Sequence, residues 1–249
     1  MVSNISRAEE PNRTIRLELL DGFRLEVNGI RVDPLASAQR LLAFLALQGP
    51  VVRAVAAGTL WGGVPECQAL ASLRTTIWRV NRTVAGLVSV RQSQLALANS
   101  VRVDVVELAD LVALVLDGSQ GTSVPRLRTG ELLPGWYEDW VLFERERLRQ
   151  LRLHALEAAA VQLAARGSYS AALEVALEVV RAEPLRESAH RVVIAVHLAE
   201  DNLIEAVRAY ERFRALSLDQ FGVEPSQRLM QLLYARCPRV QHISVLREP

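Results

Sequence analysis

Apolar and polar positions alternate from Thr14 to Val32: Ile15, Leu17 and Leu19 first, then Phe23, Leu25 and Val27, and after an Asn28-Gly29 step Ile30 and Val32. A period of two broken by that dipeptide predicts a small antiparallel sheet with a tight turn before its last strand. From Ser37, which can cap a helix, the period lengthens. AQRLLAFLAL reads as one helix stopped by Gly49-Pro50, and a second short helix runs from about Val52 to Trp61. Gly62, Gly63 and Pro65 interrupt the chain before a third helical stretch at Leu70 to Val84. Two apolar runs, LVSV and LALA, then flank Arg91 to Gln94 as the arms of a hairpin, and VRVDV closes the unit. Sheet, three helices and hairpin, in that order, predict a winged helix-turn-helix over residues 14–103.

The pattern beyond is almost wholly helical. VVELADLVALVLDG at 105–118 gives way to a Gly-, Ser-, Thr- and Pro-rich loop from Gly118 to Pro134, and a long helix follows from about Tyr137 to Arg166. GSYSAALEVALEVV at 167–180 and DNLIEAVRAYERFR at 201–214 superimpose at an offset of 34, pairing Ala172 with Ala206 and Leu173 with Val207. That offset is the tetratricopeptide period. The expected fold is therefore mainly α: the winged helix-turn-helix, itself α+β, followed by an all-α tetratricopeptide-like domain at 104–237. Residues 1–13, polar and without period, read as a disordered leader, and 238–249 as a tail.

The stretch from Leu70 to Val84 has two chemically different sides. At about 100° per residue, Leu70, Leu73, Ile77, Val80 and Val84 make one apolar stripe, while Ala71, Arg74, Thr75, Trp78, Arg79 and Arg82 crowd the other. A solvated helix normally mixes charge signs for i,i+4 pairing. An all-cationic face with hydroxyls and an aromatic suits phosphates and base edges instead. In a helix-turn-helix this helix enters the major groove and the preceding one, Val52 to Trp61, crosses the backbone. Arg74, Thr75, Trp78, Arg79 and Arg82 are thus candidate DNA-binding residues, with Ser72 at the edge of the face. Arg91 near the hairpin tip is placed for a phosphate or the minor groove, and Arg53 at the start of the crossing helix for a phosphate. Trp78 has two readings, contact with DNA or packing across the hairpin. The connection WGGVPECQA is longer than the shortest helix-turn-helix turns allow.

Charge sharpens this picture. The net value of +1 hides an asymmetry: residues before Asp104 hold twelve Arg and seven acids, those from Asp104 onward seventeen Arg and twenty-one acids, or +5 against −4. Within 34–103, Arg40, Arg53, Arg74, Arg79, Arg82, Arg91 and Arg102 face Glu66 alone. Farther on, Arg145, Arg147, Arg149 and Arg152 interleave with Glu144 and Glu146, which fits either a helical surface pairing its own charges or a face turned to the DNA-binding module. His154, His190, His197 and His242 show no metal-ligand spacing, and Cys67 and Cys237 form no C-x-x-C pair and read as reduced thiols. No enzyme, metal site or cofactor is expected. With no secretory leader pattern and no apolar run of membrane-spanning length, the expected location is cytoplasmic, with no membrane partner.

LASAQRLLAFLAL, VVRAVAAGTLW, ASLRTTIWRVNR and RVDV in the first half resemble the winged-helix domain of the SARP family of bacterial transcriptional activators. ELLPGWYEDWVLFERERLRQLRLHALE at 131–157, EPLRESAHRVVIAVHLAEDNLIEAVRAYERFRA at 183–215 and FGVEPS at 221–226 resemble that family's bacterial transcriptional activation domain. The resemblance covers the chain from about Thr14 to Arg236. It implies an activator that binds tandem direct repeats in double-stranded promoter DNA, as a possible homodimer, and recruits RNA polymerase to switch on a biosynthetic gene cluster. The alternative is a tetratricopeptide-like interaction or ligand-sensing module that does not bind DNA. One departure bears on binding: family members begin the crossing helix with Ser or Thr, whereas this chain has Val52, and Ala56 and Gly58 follow within that helix. A missing N-cap costs about 0.5–2 kcal/mol and a helical glycine about 1 kcal/mol.

Overall fold

The computed structural model describes residues 13–118, 124–128 and 130–235. The leader up to Asn12, the tail, Cys237, His242 and part of the loop after Gly118 lie outside these residues. The chain divides into two compact units, residues 1–110 with 129–148 and residues 111–128 with 149–249.

The first unit begins with β1 (Ile15–Glu18), β2 (Arg24–Val27) and β3 (Ile30–Val32), antiparallel neighbours as the alternation predicts. Asn28 and Gly29 both take positive φ, 52° and 77°, which is the geometry of a tight hairpin turn. Helix α1 (Ala36–Gln48) follows, then β4 (Val51–Val52), α2 (Arg53–Leu60), α3 (Glu66–Thr83) and the hairpin β5 (Val88–Arg91) and β6 (Gln94–Leu97). Strand β7 (Val101–Val103) then pairs with β1 in parallel, giving the order β3-β2-β1-β7. The first sheet is therefore mixed, where alternation alone suggested an antiparallel one, because the free edge of β1 accepts a strand from far along the sequence. Leu17, Leu25, Leu41, Leu45, Leu73 and Leu95 meet in one core beneath sheet, helices and hairpin.

Two local expectations change. Helix α1 begins at Ala36 with Leu35 as N-cap and no side-chain cap, so Ser37 lies inside the helix and does not cap it. Ala38 and Gln39 donate their backbone N–H to the Leu35 carbonyl, which starts the helix two residues early. Helix α3 also starts early, at Glu66 behind Pro65, and takes up ECQA from the presumed connection. What remains between α2 and α3 is the five residues 61–65, a short turn. Its tightness is visible at Gly62, where a Cβ would stand 2.8 Å from the Gly58 carbonyl oxygen.

The first unit also holds residues from beyond the winged-helix pattern. Helix α4 (Asp104–Leu116) leaves it, and the chain returns to form an isolated bridge between Leu20 and Leu132. Helix α6 (Asp139–Ala165) starts here, with Trp140 set edge-on to Phe44 at 5.3 Å between ring centroids. Arg145, largely buried, donates to the carbonyls of Leu132, Leu133 and Trp136 at 2.8–2.9 Å and pairs with Glu131 at 3.0 Å. It is an internal clamp and not part of a solvated charged surface.

The second unit contains the short helix α5 (Val124–Leu127), which the loop reading missed, the later part of α6, then α7 (Tyr169–Ala182), α8 (Glu187–Ala199), α9 (Leu203–Phe221) and α10 (Gln227–Tyr234). The 34-residue offset is written into its packing. Helix α7 buries Ala172, Val175, Ala176 and Val179, and α9 buries Ala206, Ala209, Tyr210 and Phe213, four for four at that spacing. The entries to both helices repeat too: Gly167 and Asp201 take left-handed φ of 76° and 57°, and Ser168 and Asn202 donate backbone N–H to Leu163 and His197. Small residues in α7 stand where Tyr210 and Phe213 fill space in α9, so the repeat conserves position while varying volume.

Candidate nucleic-acid interface

Burial splits α3 along the predicted line. Ala69, Leu73, Thr76, Ile77 and Val80 are buried, whereas Arg74, Thr75, Trp78, Arg79 and Arg82 are exposed, with Ser72 half-buried at the margin. Thr75 bonds its hydroxyl to the Ala71 carbonyl at 3.0 Å and so lies flat against its own helix. Trp78 does not pack across the hairpin: it is 58% exposed, and the Arg82 guanidinium carbon stands 5.1 Å from its ring centroid. Cation and ring hold one another over one turn of the outer face, at a distance typical of cation–π pairing.

Three contacts hold the parts of this interface in register. Strand β4 pairs with β6, matching Val51 with Leu95 and Val52 with Gln94. The Arg53 backbone N–H donates to the Ser93 carbonyl at 3.0 Å. Helix α2 has Val52 as N-cap and no side-chain cap, as its sequence implies, and the hairpin carbonyl takes the first of the N–H groups that a helix start leaves without an intrahelical partner. Asn81, on the edge of α3, accepts from the Val88 N–H and donates to the Val88 carbonyl, both at 2.9 Å, which fixes β5 against the helix. The sequence reading missed Asn81 and β4. A two-residue strand carries no periodicity, and a single Asn at a helix edge looks like any solvated polar residue.

The hairpin turns over Gln92 and Ser93, with Gln92 at φ 55°, and Arg91 pairs with Gln94 directly beside the turn. Arg91 is thus next to the tip, exposed, and Arg53 is exposed at the start of α2.

The partners of the arginines separate this face from the rest of the first unit. Arg16 and Arg24 bind Glu18, Arg31 binds Asp33, Arg40 binds Glu138, Arg102 binds Glu107, Arg147 binds Glu144, and Arg13 donates to the Ala85 carbonyl. Together with the clamped Arg145, that accounts for every described arginine of the unit except Arg53, Arg74, Arg79, Arg82 and Arg91. Among the described residues those five have no carboxylate or carbonyl partner, and Arg82 has only the Trp78 ring. Arg74, Arg79 and Arg82 belong to the α3 face picked out by charge pattern, Arg53 stands at the start of α2 and Arg91 at the end of β5. Unneutralised guanidinium groups on α3, at the start of α2 and on the hairpin tied to it form a surface suited to phosphate oxygens.

Fold and surface together define a winged-helix unit joined to a tetratricopeptide-like helical unit. Residues 126–235 match the bacterial transcriptional activator domain. The regulatory protein AfsR of Streptomyces coelicolor is 26% identical over 242 residues, covering 90% of this chain and 24% of AfsR, so the chain spans about a quarter of that relative's length. Mycobacterium tuberculosis EmbR, solved in complex with a low affinity phosphopeptide, shares the fold with a TM-score of 0.73 at 19% identity, over 94% of this chain and 71% of EmbR. The helical half of the chain is thus similar to the activation domain of bacterial transcriptional activators, and nearly the whole chain shares a fold with EmbR. No described helix is long and apolar enough to cross a membrane.

Proposed function

We propose that this chain activates transcription by binding double-stranded promoter DNA through the outer face of α3. Arg74, Arg79 and Arg82 work in the major groove with Ser72, Thr75 and Trp78 beside them. Arg53 meets a phosphate, and Arg91 meets a phosphate or the adjacent minor groove. The observation that carries this reading is the coincidence between the five arginines without an acceptor and the positions offered by the reading helix, the start of the crossing helix and the wing. Residues 14–103 serve as the DNA-binding domain and 104–237 as the activation domain, whose role is to recruit RNA polymerase. The resemblance to the SARP family extends the reading to tandem direct repeats, occupied by a homodimer formed on DNA, and to control of a biosynthetic gene cluster.

A salt titration tests the core of the proposal. Neutralising several phosphates gives log affinity falling with log salt at about −0.9 per contact. Substituting Arg53 or Arg91 with Ala lowers that slope by about one contact each. Protection mapping beside the chain's own gene tests the rest: tandem protected sites on one face of the duplex support direct repeats, and a single site contradicts them. No salt-sensitive duplex binding in a genomic fragment pool returns the chain to the class of pure interaction modules.

A further inference from the structure

The helical unit contains a cleft lined by both apolar and cationic side chains. It measures ≈ 450 Å³ and is bounded by α6, α8 and α10. Val161, Val192 and Leu232 give it an apolar floor, and Arg191, Arg228 and Gln231 stand among them. The spacing explains the convergence: Arg228, Gln231 and Leu232 are i, i+3 and i+4 on α10, one face of a single turn, and Arg191 lies one residue before Val192 on α8. Val161 is half exposed, at 51%, although its neighbours Ala159 and Ala160 are fully buried in the unit.

The charge in this cleft is unspent. Arg186, on the same helix as Arg191, is bound by Glu157 and Gln150; Arg128 by Glu174 and Glu178; Arg214 by Glu224. Neither Arg191 nor Arg228 has a carboxylate or carbonyl partner among the described residues. Two guanidinium groups beside exposed Val161 and half-buried Leu232 match a molecule with an apolar body and an anionic end. The volume falls within the few hundred Å³ typical of small-molecule sites, where a few polar groups fix orientation over apolar walls. We infer that this cleft binds a small amphipathic anion, its acid group held by Arg191 and Arg228 and its hydrocarbon laid on Val161, Val192 and Leu232. Bidentate pairing with a carboxylate or phosphate is the geometry guanidinium groups favour.

Isothermal titration of the full chain with octanoate, decanoate and 1-naphthoate, with octanol as the uncharged control, tests the inference. Saturable one-to-one binding of at least one acid is expected, with octanol at least tenfold weaker. The double variant R191Q/R228Q should weaken the acid by roughly tenfold or more while melting at the same temperature, since neither side chain supports the fold. V161D, which places a like charge on the floor, should abolish binding of the acids. Binding of octanol as tight as octanoate, binding unchanged in R191Q/R228Q, or no saturable binding of any of the three acids overturns the proposal. Duplex binding by R191Q/R228Q without added acid should match the unsubstituted chain, so failure here is distinct from failure of the DNA-binding reading.

Discussion

Helices α3 and α6 are both rich in arginine, and they use it in opposite ways. Arg74 and Arg79 on α3 are exposed and unpartnered among the described residues, with Arg82 laid only against Trp78. On α6, Arg145 is buried and clamps three carbonyls, Arg147 is paired with Glu144, and Arg149 is paired with Glu183. Both helices hold their cationic side chains within two or three turns. The difference lies in acceptors: α6 carries or meets its own acids and carbonyls, and α3 has none on its outer side. Net charge alone does not distinguish the two helices; whether each guanidinium has an internal acceptor does.

Substitutions can break or sharpen that contrast. The largest effect is expected at Arg145: R145A removes three hydrogen bonds to carbonyls of the 132–136 turn, of which that of Leu133 keeps the Trp136 N–H, and should cost about 2–4 kcal/mol of stability in urea unfolding. Duplex affinity per folded molecule should stay the same. R74A and R79A should do the reverse, losing about 1–3 kcal/mol of duplex affinity with unchanged melting. Loss confined to particular sequences marks a base contact, and equal loss on all marks a phosphate. N81A removes both bonds to Val88 and should cost about 1–2 kcal/mol of stability by thermal melting. Because it loosens the wing and not the helix, its effect on affinity should be shared with that of R91A in a double-mutant cycle.

G58A should add about 0.5–1 kcal/mol of stability, since a Cβ there meets nothing within 4 Å and the backbone is helical. Tighter duplex binding in G58A shows that order in α2 limits the interface, and unchanged binding shows that the hairpin tether already holds it. R147A, which breaks one exposed i,i+3 pair, should change stability by less than about 0.5 kcal/mol, as exposed pairs generally do. A larger loss there would erase the distinction between clamped and surface arginines on α6.

Much of the architecture was legible along the chain because it rests on local rules. The Asn28-Gly29 turn, the order of sheet, helices and hairpin, the two faces of α3 and the 34-residue offset of α7 and α9 are each short-range patterns. The offset proved more faithful than its first pairing suggested, since Leu173 and Val207 are only half-buried while the four pairs beginning with Ala172 and Ala206 form the packed set. Misreadings had two sources. Ser37 lost its cap role to the Leu35 carbonyl and ECQA joined α3 behind Pro65, both local choices of helix start, whereas Arg145 looked like surface until the Leu132, Leu133 and Trp136 carbonyls were placed beside it.

The sequence by itself determined which residues make the cationic face, because helical period and the scarcity of acids in 34–103 are properties of order and composition. Tertiary structure decided what that face is attached to and what each arginine touches. Pairing β7 with β1, tying α2 to the hairpin through Ser93 and locking β5 to α3 through Asn81 bring together groups far apart in sequence or carried on separate elements, and no local period records them. The same holds for Arg191 and Arg228, thirty-seven positions apart and unremarkable in the chain, which line one cleft only because α8 and α10 pack side by side.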